Sequence, residues 1–127
     1  MFIVLGVLYT NKMQDDDSAG EQLGIVIETN DPERVWNAFR LGITAVEDGH
    51  DVSVFLLGAG VESEEITHDT FDVRDRMTAF VDAGGDLEAC GTCLDLRNEE
   101  GSDYCPMSTM ADLLEIVTES DRVLTIG

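Results

Sequence analysis

Two of the three cysteines in this chain lie close together and could form a reactive pair. Cys90 and Cys93 flank Gly91 and Thr92, and Cys105 follows them. The apolar segment before Cys90 predicts that this cysteine ends a strand, and Thr92 is predicted to cap the next helix. Gly91 lets the backbone bend sharply and is expected to leave space above the Cys90 sulfur. Cys93 then falls in the first helical turn, where free backbone amides favour a thiolate.

Charged side chains near the thiol pair act in opposite directions. Arg97 adds positive charge on the same short helix, whereas Glu88, Asp95 and Glu99 bring negative charge. A nearby positive charge lowers the pKa of a thiol and a negative one raises it. The sequence leaves open which effect prevails.

Four interpretations of the thiols are open on residue types and spacing. The cysteines could be small apolar core residues. Cys90 and Cys93 could form a dithiol redox pair, although their place after a late strand is unusual for one. Cys90, Cys93, Cys105 and one of His50 and His68 could bind structural zinc, although the chain has no second C-x-x-C motif. One thiolate could instead attack a persulfide and keep its terminal sulfur, which requires an accessible thiol that ionises easily.

Composition and charge narrow the classes of partner and the compartment. The chain has 127 residues, 43% of them hydrophobic, which suits one folded domain with one core. Its formal net charge of −20, from 27 acidic and seven basic residues, argues against nucleic acid and anionic membranes as partners. So few basic residues in a folded domain suggest adaptation to concentrated salt, where screening weakens self-repulsion. Three cysteines cannot all pair, so we expect the reducing environment of a cytoplasm. The acidic composition predicts that this cytoplasm is halophilic.

The N-terminal residues are predicted to be separate from the domain. Residues 2–9 are strand-like, but this run is too short to span a bilayer and lacks the features of a signal peptide. Met13 offers an alternative start, so residues 1–12 need not belong to the native protein; the other interpretation is a genuine edge strand. We therefore divide the chain into an extension at 1–22 and a domain at 23–127.

Strand and helix signals alternate through the domain. Strands are predicted at residues 24–29, 52–57, 87–90 and 123–126. One helix is predicted with Asp31 as its cap and Pro32 in its first turn, and two more from Val73 and from Thr92. The last helix is predicted with Ser108 or Thr109 as its cap, where Asp112 can reach back to Thr109. This pattern predicts a single α/β domain with a mostly parallel, doubly wound sheet of about five strands and helices on both faces. Sites in such sheets form beyond the carboxyl ends of the strands, where Cys90 is expected to lie.

Two other features are predicted to be structural. Gly58-Ala59-Gly60 follows a strand but lacks the third glycine of a dinucleotide-binding loop, so a tight turn is expected. The acidic residues 62–65 are predicted to be solvated. No cofactor or metal is predicted.

Three segments of the chain resemble the DsrE/DsrF-like sulfur-relay family. They are residues 90–97 (CGTCLDLR), the helix at 73–85 before them and residues 105–114 (CPMSTMADLL) after them; residues 54–58 and 121–124 agree. The resemblance covers residues 23–127. It implies a small α/β protein that forms trimers or hexamers, in some cases with paralogous subunits.

The resemblance also implies a function and a site. In the resemblance, Cys90 takes the place of the relay cysteine. The resemblance therefore implies intracellular sulfur transfer through a Cys90 persulfide, with persulfide-donating and sulfur-accepting proteins as partners. Cys93 and Cys105 are further candidates, and Gly91, Thr92 and Arg97 would support the site. The alternatives are a non-catalytic scaffold or regulatory subunit of a sulfur-relay assembly, and a metal-binding module.

Overall fold

The computed structural model describes residues 20–127, which form an α/β domain around a parallel sheet. The strands are β1 (Gln22–Ile27), β2 (Asp51–Leu56), β3 (Asp86–Cys90), β4 (Met107–Ser108) and β5 (Arg122–Ile126). They lie in the order β4-β3-β2-β1-β5, and each neighbouring pair is parallel. The predicted fold class is confirmed. The suggested strand at 2–9 and residues 1–12, which need not belong to the native protein, lie outside the described residues.

Local sequence signals account for where the helices begin. The helices are α1 (Pro32–Glu47), α2 (Val73–Asp82), α3 (Gly91–Leu96) and α4 (Met110–Glu119), with a 3-10 helix at Gly58–Glu65. Asp31 caps α1 by accepting the Arg34 N–H at 3.0 Å, and Pro32 opens the first turn, as predicted. Thr109 and Asp112 form the reciprocal capping box expected for α4.

The helices cover both faces of the sheet because the chain crosses over in two directions. From β1 to β4 the strands are added on one side of β1, and β5 is then added on the other side. On one face α1 packs against α2, where the rings of Phe39 and Phe80 meet edge to face at 5.7 Å. On the other face α4 lies over Gly24, whose missing side chain leaves room for Ile116.

The second face is only thinly covered. No residue of α4 is buried, and Leu114 is 61% exposed. Val123 and Leu124 of the edge strand β5 are exposed as well. Met110, Leu114 and Val117 recur at helical spacing along α4, and we call these exposed residues, with Val123 of β5, the α4–β5 apolar face.

Two elements beside the predicted site were not anticipated. Strand β4 has only two residues, and its Ser108 pairs with Cys90 in the sheet. The 3-10 helix occupies the acidic segment after β2, and its Val61 and Ser63 are buried. It packs so closely on the end of β1 that a Cβ atom at Gly60 would overlap the Ile27 carbonyl oxygen. This close approach explains the glycine at position 60 without a bound nucleotide.

Replacing Gly60 should therefore destabilise the domain more than replacing its neighbour Gly58. Gly60→Ala forces a methyl group into the β1 backbone, and overpacking of this kind costs about 3 kcal/mol. Gly58 has φ 56° but open space around it, so Gly58→Ala should cost about 1 kcal/mol from backbone strain. Urea unfolding of both variants measures the difference. Equal losses of stability would show that a methyl group at position 60 is accommodated without a clash with the Ile27 carbonyl oxygen.

Candidate functional site

Cys90 ends β3 and caps α3 with its own sulfur. Its backbone is extended (φ −62°, ψ 117°), and its Sγ accepts the Cys93 N–H at 3.4 Å. The predicted cap was Thr92, and this is wrong. The helix begins at Gly91, one residue earlier than expected, so Thr92 lies inside α3 with an exposed side chain.

Cys93 lies in the first turn of α3, as predicted, and is partly exposed. Its Sγ accepts the backbone N–H of Gly58 at 3.2 Å. Desolvation by burial raises the pKa of the Cys93 thiol, and the neighbouring Cys90 thiol raises it further; the Gly58 amide and Arg97 act to lower it. The net effect, which the sequence left open, is a raised pKa that disfavours ionisation of Cys93.

The Cys90 thiol is far less accessible than the sulfur-carrier interpretation requires. It retains 3% exposure and belongs to the hydrophobic core. Gly91 does not leave open space beside it: a Cβ atom there would lie 2.9 Å from Met107 Cγ and 3.1 Å from the Ser108 carbonyl oxygen. The short strand β4, absent from the predicted fold, fills the volume that the glycine was expected to leave empty.

Arg97 joins the thiol helix to the 3-10 helix. Its Nε donates to Glu62 Oε2 at 2.6 Å, and its Nη1 donates to the Cys93 carbonyl oxygen at 3.1 Å. Asn30 donates to the other Glu62 oxygen at 2.9 Å. The hydrogen bond from Arg97, followed by that from Asn30, lowers the pKa of Glu62. The predicted positive charge beside Cys93 is therefore paired with a carboxylate.

Sequence reasoning missed three of the groups that form this site: the Gly58 amide, Glu62 and Asn30. Glu62 was expected to be solvated because it stands in an acidic run. In the structure Glu62 holds Arg97, and Glu64 accepts a hydrogen bond from Ser102 at 3.1 Å. The glycines at positions 58 and 60 indicated a tight turn after β2. They do not show that residues 58–65 pack against the end of β1 and thereby bring Glu62 to Arg97.

Cys105 lies on the loop before β4 and is only 2% exposed. Burial raises the pKa of its thiol to about 12, and the negative charges of Glu64 and Glu88 act in the same direction. Across residues 20–127, no hydrogen bond joins Cys105 to Cys90 or Cys93. The structure thus joins Cys90 and Cys93 by a hydrogen bond, whereas Cys105 lies strongly desolvated in the same hydrophobic core.

Both histidines are engaged elsewhere. His50 Nδ1 accepts the Glu21 N–H at 2.9 Å, and His68 Nδ1 accepts the Thr70 N–H at 3.1 Å. In the described part of the chain, no three His, Cys, Asp or Glu side chains are grouped so that they could hold a metal ion.

No helix within residues 20–127 combines the length and the apolar character needed to cross a bilayer.

The fold and the thiol pair define a class: a small parallel α/β protein with a C-x-x-C motif at the carboxyl end of a strand. The sequence profile of the DsrE/DsrF-like family matches residues 21–126, and the chain belongs to this family. An uncharacterised protein of Methanocaldococcus jannaschii is 31% identical over 99 residues, which cover 73% of this chain and 87% of that protein. An uncharacterised protein of Methanopyrus kandleri is 29% identical over 98 residues, covering 72% and 81%. Family membership relates the chain to sulfur relay.

Neutralising Glu62 should make Cys93 more reactive. In Glu62→Gln the Arg97 charge is no longer balanced, so its lowering effect on the Cys93 pKa grows. We expect alkylation of Cys93 by iodoacetamide at pH 7 to speed up about threefold, because a larger fraction of its thiol is ionised. Peptide mapping assigns the modified cysteine. The control is Glu65→Gln, an exposed carboxylate of the same helix; an unchanged rate in Glu62→Gln would contradict this account of the electrostatics.

Cys105 should make the domain less stable at alkaline pH. The folded-state pKa of about 12 is raised from an ordinary value of 9.0, so its contribution is complete below pH 9 and is lost as the pH rises towards 12. The free energy of unfolding should fall by up to about 1.4 kcal/mol per pH unit in this window. Cys105→Ala should flatten the slope between pH 9 and 10, below the range in which Tyr104 contributes, since burial raises its pKa to about 12 from 10.0. Identical slopes in urea titrations would refute this.

Proposed function

We propose that this protein carries sulfur as a persulfide on Cys90, between a persulfide-donating protein and a sulfur-accepting one. The observation that carries the proposal is the pair of neighbouring thiols at the carboxyl end of β3, where parallel α/β folds build their sites. Membership of the DsrE/DsrF-like family supports it.

The transfer needs no cofactor and no net oxidation. The Cys90 thiolate attacks the outer sulfur of the donor persulfide, a bond forms between the two sulfurs, and the donor S–S bond breaks. The donor leaves as a thiolate and takes up the proton that Cys90 gave up. An acceptor thiolate then attacks the outer sulfur on Cys90 in the same manner. Each step moves one sulfur atom and turns one persulfide into a thiol and one thiol into a persulfide, so the numbers of both are conserved.

Because Cys90 is buried, a neighbouring group must move before a donor can reach its sulfur. A persulfide on Cys90, a residue that is 3% exposed, is shielded from solvent thiols, but the side chains around its sulfur must move before it can be loaded. Met107 lies against Gly91, is 47% exposed and has a flexible, unbranched side chain. We place the opening at this side chain and the short strand that bears it. Cys105 is left out of the transfer because it is buried and its thiol is held neutral.

A second candidate function is a non-catalytic scaffold or regulatory subunit of a sulfur-relay assembly. The low exposure of Cys90 and the raised pKa of Cys93 favour it, because a relay thiol should react readily at neutral pH. Such a subunit would keep the fold and the contacts with its partners, and its thiols would alkylate slowly and accept no sulfur.

The proposal includes association with other subunits and a cytoplasmic location. The exposed apolar residues that recur along α4 are typical of an interaction surface, and they support a homo-oligomer such as a trimer or hexamer, or a hetero-oligomer with paralogues. All three cysteines are free, which suits the reducing compartment expected from the sequence.

Persulfide loading tests the role of Cys90 most directly in a background that lacks Cys93. Cys93→Ser should gain the mass of one sulfur atom when it is treated with inorganic polysulfide, desalted and weighed intact. Cys90→Ser/Cys93→Ser should gain none, because the receiving thiol is gone.

Cys93→Ser/Cys105→Ser is the matched control and should load like Cys93→Ser, with far-ultraviolet circular dichroism checking the fold of each variant. Equal loading of the variant without Cys90 would disprove the assignment. If Cys93→Ser gains no sulfur, the scaffold function is favoured.

A further inference from the structure

We propose that Cys93 resolves the Cys90 persulfide, so that the protein can release its cargo as hydrosulfide and form a Cys90–Cys93 disulfide. This inference rests on the proposed function, and it adds a second outcome to the same site: reductive release of sulfur in place of its transfer to an acceptor.

The first support is the proximity of the two sulfur atoms. Cys93 N lies 3.4 Å from Cys90 Sγ, and Cys93 Sγ is three bonds from that nitrogen. The Cα atoms of residues joined by a disulfide are usually about 4.4–6.8 Å apart, a separation that one turn of helix provides. A disulfide can therefore form by rotation of the Cys93 side chain, without movement of β3.

The second support is the order of the two thiols between the core and the solvent. Cys90 is buried, whereas Cys93 is partly exposed. A persulfide on Cys90 thus points its inner sulfur at a neighbouring thiol, with limited access for molecules from solution. Cys93 of the same chain therefore competes with the acceptor protein for the Cys90 persulfide.

The third support is a hydrogen-bond donor placed on the attacking sulfur. The Gly58 N–H lies 3.2 Å from Cys93 Sγ and favours the thiolate form, and the Arg97 charge acts in the same direction. Burial opposes both of them. Because intramolecular attack gains from proximity, a small thiolate fraction is sufficient.

The step balances in atoms and electrons. The Cys93 thiolate attacks the Cys90 sulfur of the persulfide, a Cys90–Cys93 S–S bond forms, and the bond to the terminal sulfur breaks. The terminal sulfur leaves as hydrosulfide with the bonding electron pair, and the proton lost by Cys93 converts it to hydrogen sulfide. The terminal sulfur is reduced and the cysteine pair is oxidised. A soluble dithiol reductant must then restore the two thiols before another turnover.

The test compares the wild-type protein with Cys93→Ser after treatment with inorganic polysulfide and rapid desalting. Intact mass under non-reducing conditions and released sulfide are followed over time. Cys93→Ser should keep its added sulfur at least about tenfold longer, because the internal nucleophile is missing. The wild type should lose the sulfur, release one equivalent of sulfide and end two hydrogens lighter, with Cys90 and Cys93 joined in the peptide map.

Two controls separate the possible failures. Cys105→Ser keeps both members of the pair and should behave like the wild type, and Cys93→Ala replaces Cys93→Ser if the serine variant does not fold. Wild-type protein that keeps its sulfur as long as Cys93→Ser, or loses it without forming the disulfide, overturns the inference while leaving the proposed function intact. If neither Cys93 variant gains sulfur, the proposed function itself fails.

Discussion

The arrangement of the site depends on how closely the 3-10 helix packs against the end of β1. The Ile27 carbonyl oxygen accepts the Leu57 N–H at 2.9 Å, and the Gly60 backbone lies against the same carbonyl. Only a residue without a side chain permits this approach. The contact fixes the segment that brings the Gly58 amide to Cys93 and the Glu62 carboxylate to Arg97. A packing constraint on one strand thus determines the chemical surroundings of a thiol two strands away.

Much of the fold could be predicted because its signals are local. Asp31-Pro32 and Thr109 with Asp112 mark helix starts through contacts within one turn, and the apolar runs of β1 and β2 are long enough to be recognised. Strand β4 and the 3-10 helix could not be recognised in this manner. Two residues are too few to show a periodicity, and the 3-10 helix depends on a contact with a distant strand.

The positions of Cys90 and Cys93 in the fold were predicted, but the accessibility of Cys90 and the pKa of Cys93 were not. Cys90 ends a strand and Cys93 occupies the first helical turn, as the spacing indicated. The cap was misassigned because a threonine is the commoner capping residue, whereas here the cysteine sulfur takes that place. The accessibility of Cys90 depends on β4, and the pKa of Cys93 depends most on its desolvation; neither follows from residues close in sequence.

The sulfur of Cys90 has two tasks that interfere with each other. It accepts the Cys93 N–H at the start of α3, and it is also the atom to which the proposed cargo is attached. Attachment of a second sulfur crowds the atom that accepts this hydrogen bond, and loss of a helix cap costs about 0.5–2 kcal/mol. A persulfide on Cys90 would therefore act directly on the cap of a helix of only six residues. Leu96, 76% exposed, ends that helix, so any change in its winding would reach the protein surface there.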